Sequence, residues 1–331
     1  MNHRERINAT LRGQPTDHTP IALWRHFPND DLRAETFAAR VVEFQKKFEF
    51  DFVKVTPASS YPAEMYGATF RVPSPGSPRL REGTRENVTH PVNALADWDK
   101  LVPLGATNPV FVRELDALKL IRQQLGNDVH ILQTIFSPLN SALNIAGERL
   151  YTDLREHPDV VHRALRPITE TTIRFAVESL RAGADAIFFA TQMATSTRLT
   201  LDEFRAFGEP SDLQVLQAIR AAKPDFIFMH IHGLDIYFDA LLHYPVDVVN
   251  WHDRRTAPSL KQARSKWSGT LSGGFDEWNV LAEKSRDAVV AQARDAIAQA
   301  GGRGFILAAG CVIAVDTPED NVRAAVDTAR K

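Results

Sequence analysis

A chain of 331 residues with 44% hydrophobic residues, 24% charged residues and a formal net charge of −2 is built like an ordinary globular protein, long enough for one large α/β domain. That charge balance gives no pull toward nucleic acid or a membrane surface, and a single cysteine excludes an internal disulfide framework and fits a reducing cytosol. The polar start lacks the apolar core of a secretory signal, and no apolar run approaches the roughly 20 residues that span a bilayer, so a soluble cytoplasmic protein is expected.

In chain order, eight short β-rich apolar runs alternate with longer segments of helical period, the mark of parallel βαβ organisation. The runs are Thr19–Trp24, Phe50–Val55, Val129–Ile135, Ala184–Ala190, Phe226–His232, Val246–Trp251, Gly269–Phe275 and Gly304–Gly310. Between the second and third lies Tyr61–Val112, rich in proline and glycine, which predicts an irregular insertion over one end of the fold. A helix is predicted over Asp159–Leu180, with Val161, Leu165, Ile168, Ile173, Val177 and Leu180 near one face and Gly183 as its cap. Another is predicted over Leu281–Ala300, closed by Gly301-Gly302. No glycine-rich phosphate loop follows the first run, which argues against an open doubly wound sheet. The pattern predicts a single-domain (β/α)₈ TIM barrel over residues 1–331.

Barrel active sites lie at the C-terminal ends of the strands. There the fifth run ends in Phe-Met-His230-Ile-His232-Gly233, and the eighth ends just before Cys311. Residues i and i+2 of a strand share a face, so the two imidazoles can converge. Two neutral nitrogens and one thiolate suit zinc, and three protein ligands leave a coordination position open for chemistry. The alternative is a pair of ordinary histidines and a cysteine that packs as a small hydrophobe. After the sixth run, His252 and Asp253 are candidate catalytic groups, with an exposed loop as the alternative. Asp276 is a further candidate, as a carboxylate near the metal or a fourth ligand, or else a helix cap ahead of Glu277. Gln133 and Gln192, at the ends of the third and fourth runs, are candidate contacts to a bound cofactor, with structural amides as the alternative, and His26 after the first is another, with an aromatic-lined loop contact as the alternative. His3, His90, His157, His162 and His243 read as surface or helix residues.

Three stretches carry a family resemblance. Arg6-Ile-Asn-Ala-Thr-Leu-Arg-Gly13-Gln-Pro-Thr-Asp17-His-Thr-Pro20 is similar to the opening helix, glycine turn and first strand of the uroporphyrinogen decarboxylase superfamily. His157-Pro-Asp-Val-Val-His162 with Ala182-Gly183-Ala184-Asp185-Ala186 resembles its central segment, and Gly310-Cys311-Val-Ile with Asp316-Thr-Pro318-Glu-Asp-Asn-Val322 its close. The resemblance implies the same barrel that the strand count predicts.

The decarboxylase branch carries an Arg-Gln-Ala-Gly-Arg-Tyr stretch, where this chain has Trp24-Arg25-His26-Phe27-Pro28. Its aspartate after the second strand is replaced within Thr56-Pro57-Ala58-Ser59, its tyrosine near Leu143, its aspartate–serine pair by Ala190-Thr191, and its closing histidine by Cys311. A buried polycarboxylate without those partners would cost several kcal/mol, which disfavours tetrapyrrole decarboxylation. The resemblance is nearer to the zinc-dependent methyltransferases of the superfamily, which have a His-x-Cys segment at strand five and a Gly-Cys segment after strand eight. His230 and Cys311 match these positions, and His232 stands where the first cysteine would be. It implies zinc, a methyl-corrinoid (methylcobalamin or a separate corrinoid protein) as donor, a small thiol-type acceptor and a homodimer. Decarboxylation, zinc-assisted hydrolysis with Asp253 or Asp276 as base, and a corrinoid binder without turnover are the competing expectations.

Overall fold

All eight apolar runs are strands of one parallel sheet in the computed structural model, which describes residues 1–331. In chain order the strands are β1 (Ile21–Ala22), β2 (Phe52–Val55), β3 (Thr69–Arg71), β4 (Glu86–Thr89), β5 (His130–Phe136), β6 (Ala186–Thr191), β7 (Ile227–Ile231), β8 (Val248–Trp251), β9 (Thr270–Phe275) and β10 (Phe305–Ala309). The large sheet runs β1-β10-β9-β8-β7-β6-β5-β2, and β3 and β4 form a separate antiparallel pair. Its two edges meet where the Asp51 amide donates to the Ile21 carbonyl at 2.9 Å and the Ile21 amide donates to Asp51 Oδ2 at 2.8 Å. Eight parallel strands with helices between them thus make a nearly closed (β/α)₈ barrel. No helix is long and apolar enough to cross a membrane.

Aromatic side chains fill the barrel interior. Trp24 meets Phe188 at 5.4 Å and Phe228 at 6.1 Å between ring centroids, and Phe188 stacks on Phe228 at 4.8 Å. Phe52 joins them at 5.7 Å from Phe228. Burying each such ring contributes about 1.5–3 kcal/mol. Together they form a rigid floor beneath the C-terminal mouth, and the functional residues stand on it.

The helix predicted over Asp159–Leu180 runs from Pro158 to Arg181, with Pro167 inside it. Val161, Leu165 and Ile168 are buried as expected, whereas Ile173, Val177 and Leu180 are only half-buried. Beyond Pro167 the covered face passes to Thr172, Phe175 and Ala176, because Phe175 packs on Tyr61 and Phe111 of the insertion. The helix expected from Leu281 starts at Arg286, where Ser285 caps it. Between β2 and β5 the expected irregular stretch holds short helices at Tyr61–Met65 and Pro78–Glu82, the β3–β4 pair, and the start of a long helix, Pro109–Leu125. It forms a lobe over the barrel mouth. Gly83, at φ +79°, presses on His26, where an added Cβ would come within 2.7 Å of the histidine Cβ. The lobe is further tied down by a buried ion pair between Arg85 and Asp31.

Candidate metal centre

Three adjacent or facing strand ends deliver four donor side chains to one point. His230 lies on β7, His232 one residue beyond it, His252 one residue beyond β8, and Cys311 two residues beyond β10. His230 Nε2 and His252 Nε2 each lie 3.4 Å from His232 Nδ1, and Cys311 Sγ lies 3.5 Å from the same nitrogen. All four donor atoms fall within 4.8 Å of one another.

Hydrogen bonds among the four do not account for this convergence. The Asn250 amide nitrogen donates to the carbonyls of Ser272 at 3.1 Å and Ala309 at 3.0 Å. Its orientation is therefore fixed, and its oxygen accepts from His230 Nδ1 at 2.7 Å. Glu277 Oε1 lies 2.7 Å from His252 Nδ1 and can only accept when ionised. Both Nε2 atoms consequently present lone pairs to His232 Nδ1, which can donate to one of them at most. A cation resolves that crowding. Tetrahedral zinc with bonds of about 2.0–2.1 Å to nitrogen and about 2.3 Å to sulfur sets nitrogen donors about 3.4 Å apart and nitrogen–sulfur donors about 3.6 Å apart. The observed spacings match, so the donor set fits a zinc-like ion.

The electrostatics agree. Burial, reinforced by the His232 and His252 rings, holds His230 neutral, well below the usual histidine range. Burial followed by His252 takes His232 down to about 3. Burial pushes the Cys311 thiol up to about 12, with the Glu277 carboxylate adding to it. A cation at the centre reverses that last effect, since a coordinating thiol is deprotonated outright. Gly310 supplies the space: a Cβ there would lie 2.9 Å from His252 Cα and 3.0 Å from Glu277 Oε2.

The other expected residues divide. His26 and Gln192 line the cavity above the centre, which holds about 780 Å³ and is bounded on the far side by the lobe. Burial, then the Lys54 charge, lowers His26 to about 3. Gln133, Asp253 and Asp276 are not brought to the cavity. Gln133 is buried in the barrel wall, its amide donating weakly to the Thr134 carbonyl. Asp253 Oδ1 accepts from the Gly274 amide at 2.8 Å and so pins the β8 turn to β9. Asp276 caps a turn through the amides of Trp278 and Asn279. His252, expected as a catalytic group, stands instead among the donors, and His90, expected at the surface, lines the cavity on its lobe side. Asn250, Glu277, Lys54 and Arg198 also stand at the centre or line its cavity, without having been expected there from the sequence. For Asn250 a signal existed: it is the β8 partner of His230 in the barrel register. Lys54 lies at the cavity wall 4.5 Å from the Phe188 ring centroid, and burial lowers its amine to about 7.

The profile of the family described as uroporphyrinogen decarboxylase (URO-D) matches residues 2–331. The chain belongs to the uroporphyrinogen decarboxylase family. Within it, the chain is 29% identical over 252 residues to the uroporphyrinogen decarboxylase of Anaeromyxobacter dehalogenans, covering 72% of this chain and 69% of that protein. It is 27% identical over 221 residues to the methylcobamide:CoM methyltransferase MtaA of Methanosarcina barkeri, covering 64% of this chain and 61% of that protein. A solved methyltransferase from Methanosarcina mazei shares the fold, with a TM-score of 0.81 and 20% identity over 99% of this chain and 98% of that one. The family is enzymatic and includes both decarboxylases and methyltransferases, and at these identities the cavity residues must decide between them.

Proposed function

We propose that this protein is a zinc-dependent methyltransferase that moves a methyl group from a methyl-corrinoid to a thiol-type acceptor, with the metal held by His230, His232, His252 and Cys311. The convergence of four donors, two of them (His230 and His252) aimed by Asn250 and Glu277, carries the reading. The expected three-ligand site thereby gains a fourth donor in His252. A divalent ion bound there supplies a Lewis acid that keeps an acceptor sulfur as thiolate. His230 and His252 are buried and anchored through their second nitrogens, so they hold the centre in place. His232 is half-buried and its Nε2 has no such anchor, which leaves it the donor freest to swing. The Phe188–Phe228 floor closes the site from below, and residues of the lobe line the cavity above it. The transfer balances: the thiol releases its proton to solvent, its sulfur attacks the methyl carbon, and the electron pair of the cobalt–carbon bond stays with the corrinoid.

The decarboxylase reading draws on the names of relatives, and the cavity opposes it. Thr56, Leu143, Ala190 and Cys311 all line it where that branch carries polar groups for a tetrapyrrole. Arg25, the one arginine after β1, turns away to donate to the Val315 carbonyl at 2.9 Å and lies over Phe27. The test is methyl transfer from methylcobalamin to a panel of thiols by zinc-loaded protein, read as methyl thioether formed. Thioether formation that follows zinc content supports the reading. Tight corrinoid binding without turnover, or release of a water-derived product alone, would replace it.

A further inference from the structure

Lys54 is a cation without an ion pair at the floor of the cavity; Arg79, exposed on the lobe, and Arg198, at the rim, line it without one as well. Lys54 lies on β2, two residues after Phe52, and so shares the inward face with the aromatic floor. Its ammonium makes one hydrogen bond, to Thr56 Oγ1 at 3.1 Å, and no ion pair. The faces of Phe188 at 4.5 Å and Trp24 at 5.8 Å lie beside it, and the Cys311 sulfur is the one charge-bearing group that acts on it. The Phe188 ring also lies 5.8 Å from the His230 ring, so Lys54 and the candidate metal centre border one aromatic side chain. Of the acidic groups that line the cavity, Glu86 pairs with Arg71 at 3.2 Å and Glu82 accepts from Thr84 at 3.2 Å on the lobe, and Glu148 is exposed at the rim beside Arg198. An ammonium with one hydroxyl partner and two ring faces has lost much of its hydration without a compensating charge.

We propose that Lys54 is the anion-recognising residue of this cavity, and that the acceptor carries a carboxylate which Lys54 holds while its reacting sulfur lies at the four-donor centre. The proposal rests on the methyltransferase reading for the identity of the reacting atom, but not for the carboxylate site itself. Charge complementarity supports it. A divalent ion with one thiolate and three neutral imidazoles leaves the centre positive, and Lys54 adds to that, so an acceptor with a negative tail fits better than a neutral one. Arg198 also lines the cavity without an ion pair. It stands at the rim, facing an outer hollow with Tyr151 and Arg155, where solvent screens it.

The experiment compares 3-mercaptopropionate with 2-mercaptoethanol on cobalt(II)-loaded protein, following sulfur-to-cobalt charge-transfer absorbance. Wild type should bind the acid about tenfold to a hundredfold more tightly, as expected for a charge-assisted contact away from bulk water. Lys54→Met should bring the two thiols within about twofold at equal cobalt loading. Lys54→Arg should restore most of the preference, and Arg198→Met should leave most of it. Equal affinities in wild type, or a preference that survives Lys54→Met, overturns the proposal. Should Lys54→Met fail to fold, loss of the preference in Lys54→Gln carries the same test. If cobalt does not bind, or neither thiol gives a charge-transfer band, the methyltransferase reading fails separately. Lys54 is then tested by calorimetric titration with propionate, whose binding must be lost in Lys54→Gln.

Discussion

His230 donates from Nδ1 to the Asn250 side-chain oxygen at 2.7 Å, and that bond decides which imidazole nitrogen faces the other three donors. Because the Asn250 amide nitrogen is committed to two carbonyls, the asparagine cannot flip to accommodate the other tautomer. Asn250→Ala should therefore lower zinc affinity by about tenfold to a hundredfold, the usual cost of losing a group that orients a metal-ligating histidine. Competition with a chromogenic chelator measures it. Unchanged affinity would mean that His230 does not ligate through Nε2.

Glu277 makes the corresponding contact to His252, with one difference that a variant can isolate. Gln at position 277 keeps an acceptor for His252 Nδ1 but removes the charge, whereas Ala removes both. Glu277→Gln should retain metal more tightly than Glu277→Ala. If the two bind metal equally, the carboxylate does not act through the histidine.

Gly310 lets Cys311 approach at all. A methyl group there would stand 2.9 Å from the His252 backbone and 3.0 Å from Glu277 Oε2. Gly310→Ala should displace His252 from the cluster and destabilise the fold by about 1–3 kcal/mol, the range for overpacking a dense site. Zinc content and the denaturation midpoint should fall together.

Asp212 allows a test of stability against pH away from the metal centre. It is fully buried, with Tyr244 Oη at 3.3 Å from Oδ2 and no cation paired to it. Burial raises its pKa well above the usual carboxylate value. The folded state thus holds the proton more tightly than the unfolded chain. The stabilisation is fully present below the unfolded pKa of about 4 and is lost as pH rises through the folded value. Asp212→Asn, neutral at every pH, should gain on wild type in thermal midpoint as pH rises from mildly acidic to mildly basic. A constant difference across that range would mean that Asp212 is already ionised in the fold.

The barrel was readable from the sequence because each strand is buried on both faces, so each reads as an unbroken apolar run between helical segments. The observed strands fall within one or two residues of those runs. His230 and His232 could be placed on one face because two-residue spacing is a local property of a strand. The rest of the site is made by contacts distant in sequence. His252 is a donor because Glu277, twenty-five positions later, turns its ring, and no spacing rule records that. Asp253 and Asp276 were read as chemical groups on proximity to strand ends, yet Asp253 accepts from the Gly274 amide of β9 and Asp276 from the Trp278 and Asn279 amides of the turn that follows it. Lys54 was hidden inside the apolar run Phe50–Val55, although its shared inward face with Phe52 marks it as a charge inside the barrel.

Cys311 gives the sharpest separation between a metal centre and a packed core. Serine is a poor zinc ligand at neutral pH, whereas a thiolate contributes charge as well as a bond. Cys311 is half-buried at the barrel mouth, so replacing its sulfur removes little packing. Cys311→Ser should lose most of its zinc and all zinc-dependent activity while its thermal midpoint in metal-free buffer stays within a few degrees of wild type. A structural cysteine would behave in the opposite way, with the midpoint falling and zinc content intact. Metal analysis and thermal denaturation of the same preparations separate the two. A variant that keeps full zinc and melts much earlier removes Cys311 from the centre. The remaining three histidines would then form an all-nitrogen site, which suits activation of water better than transfer to a thiol.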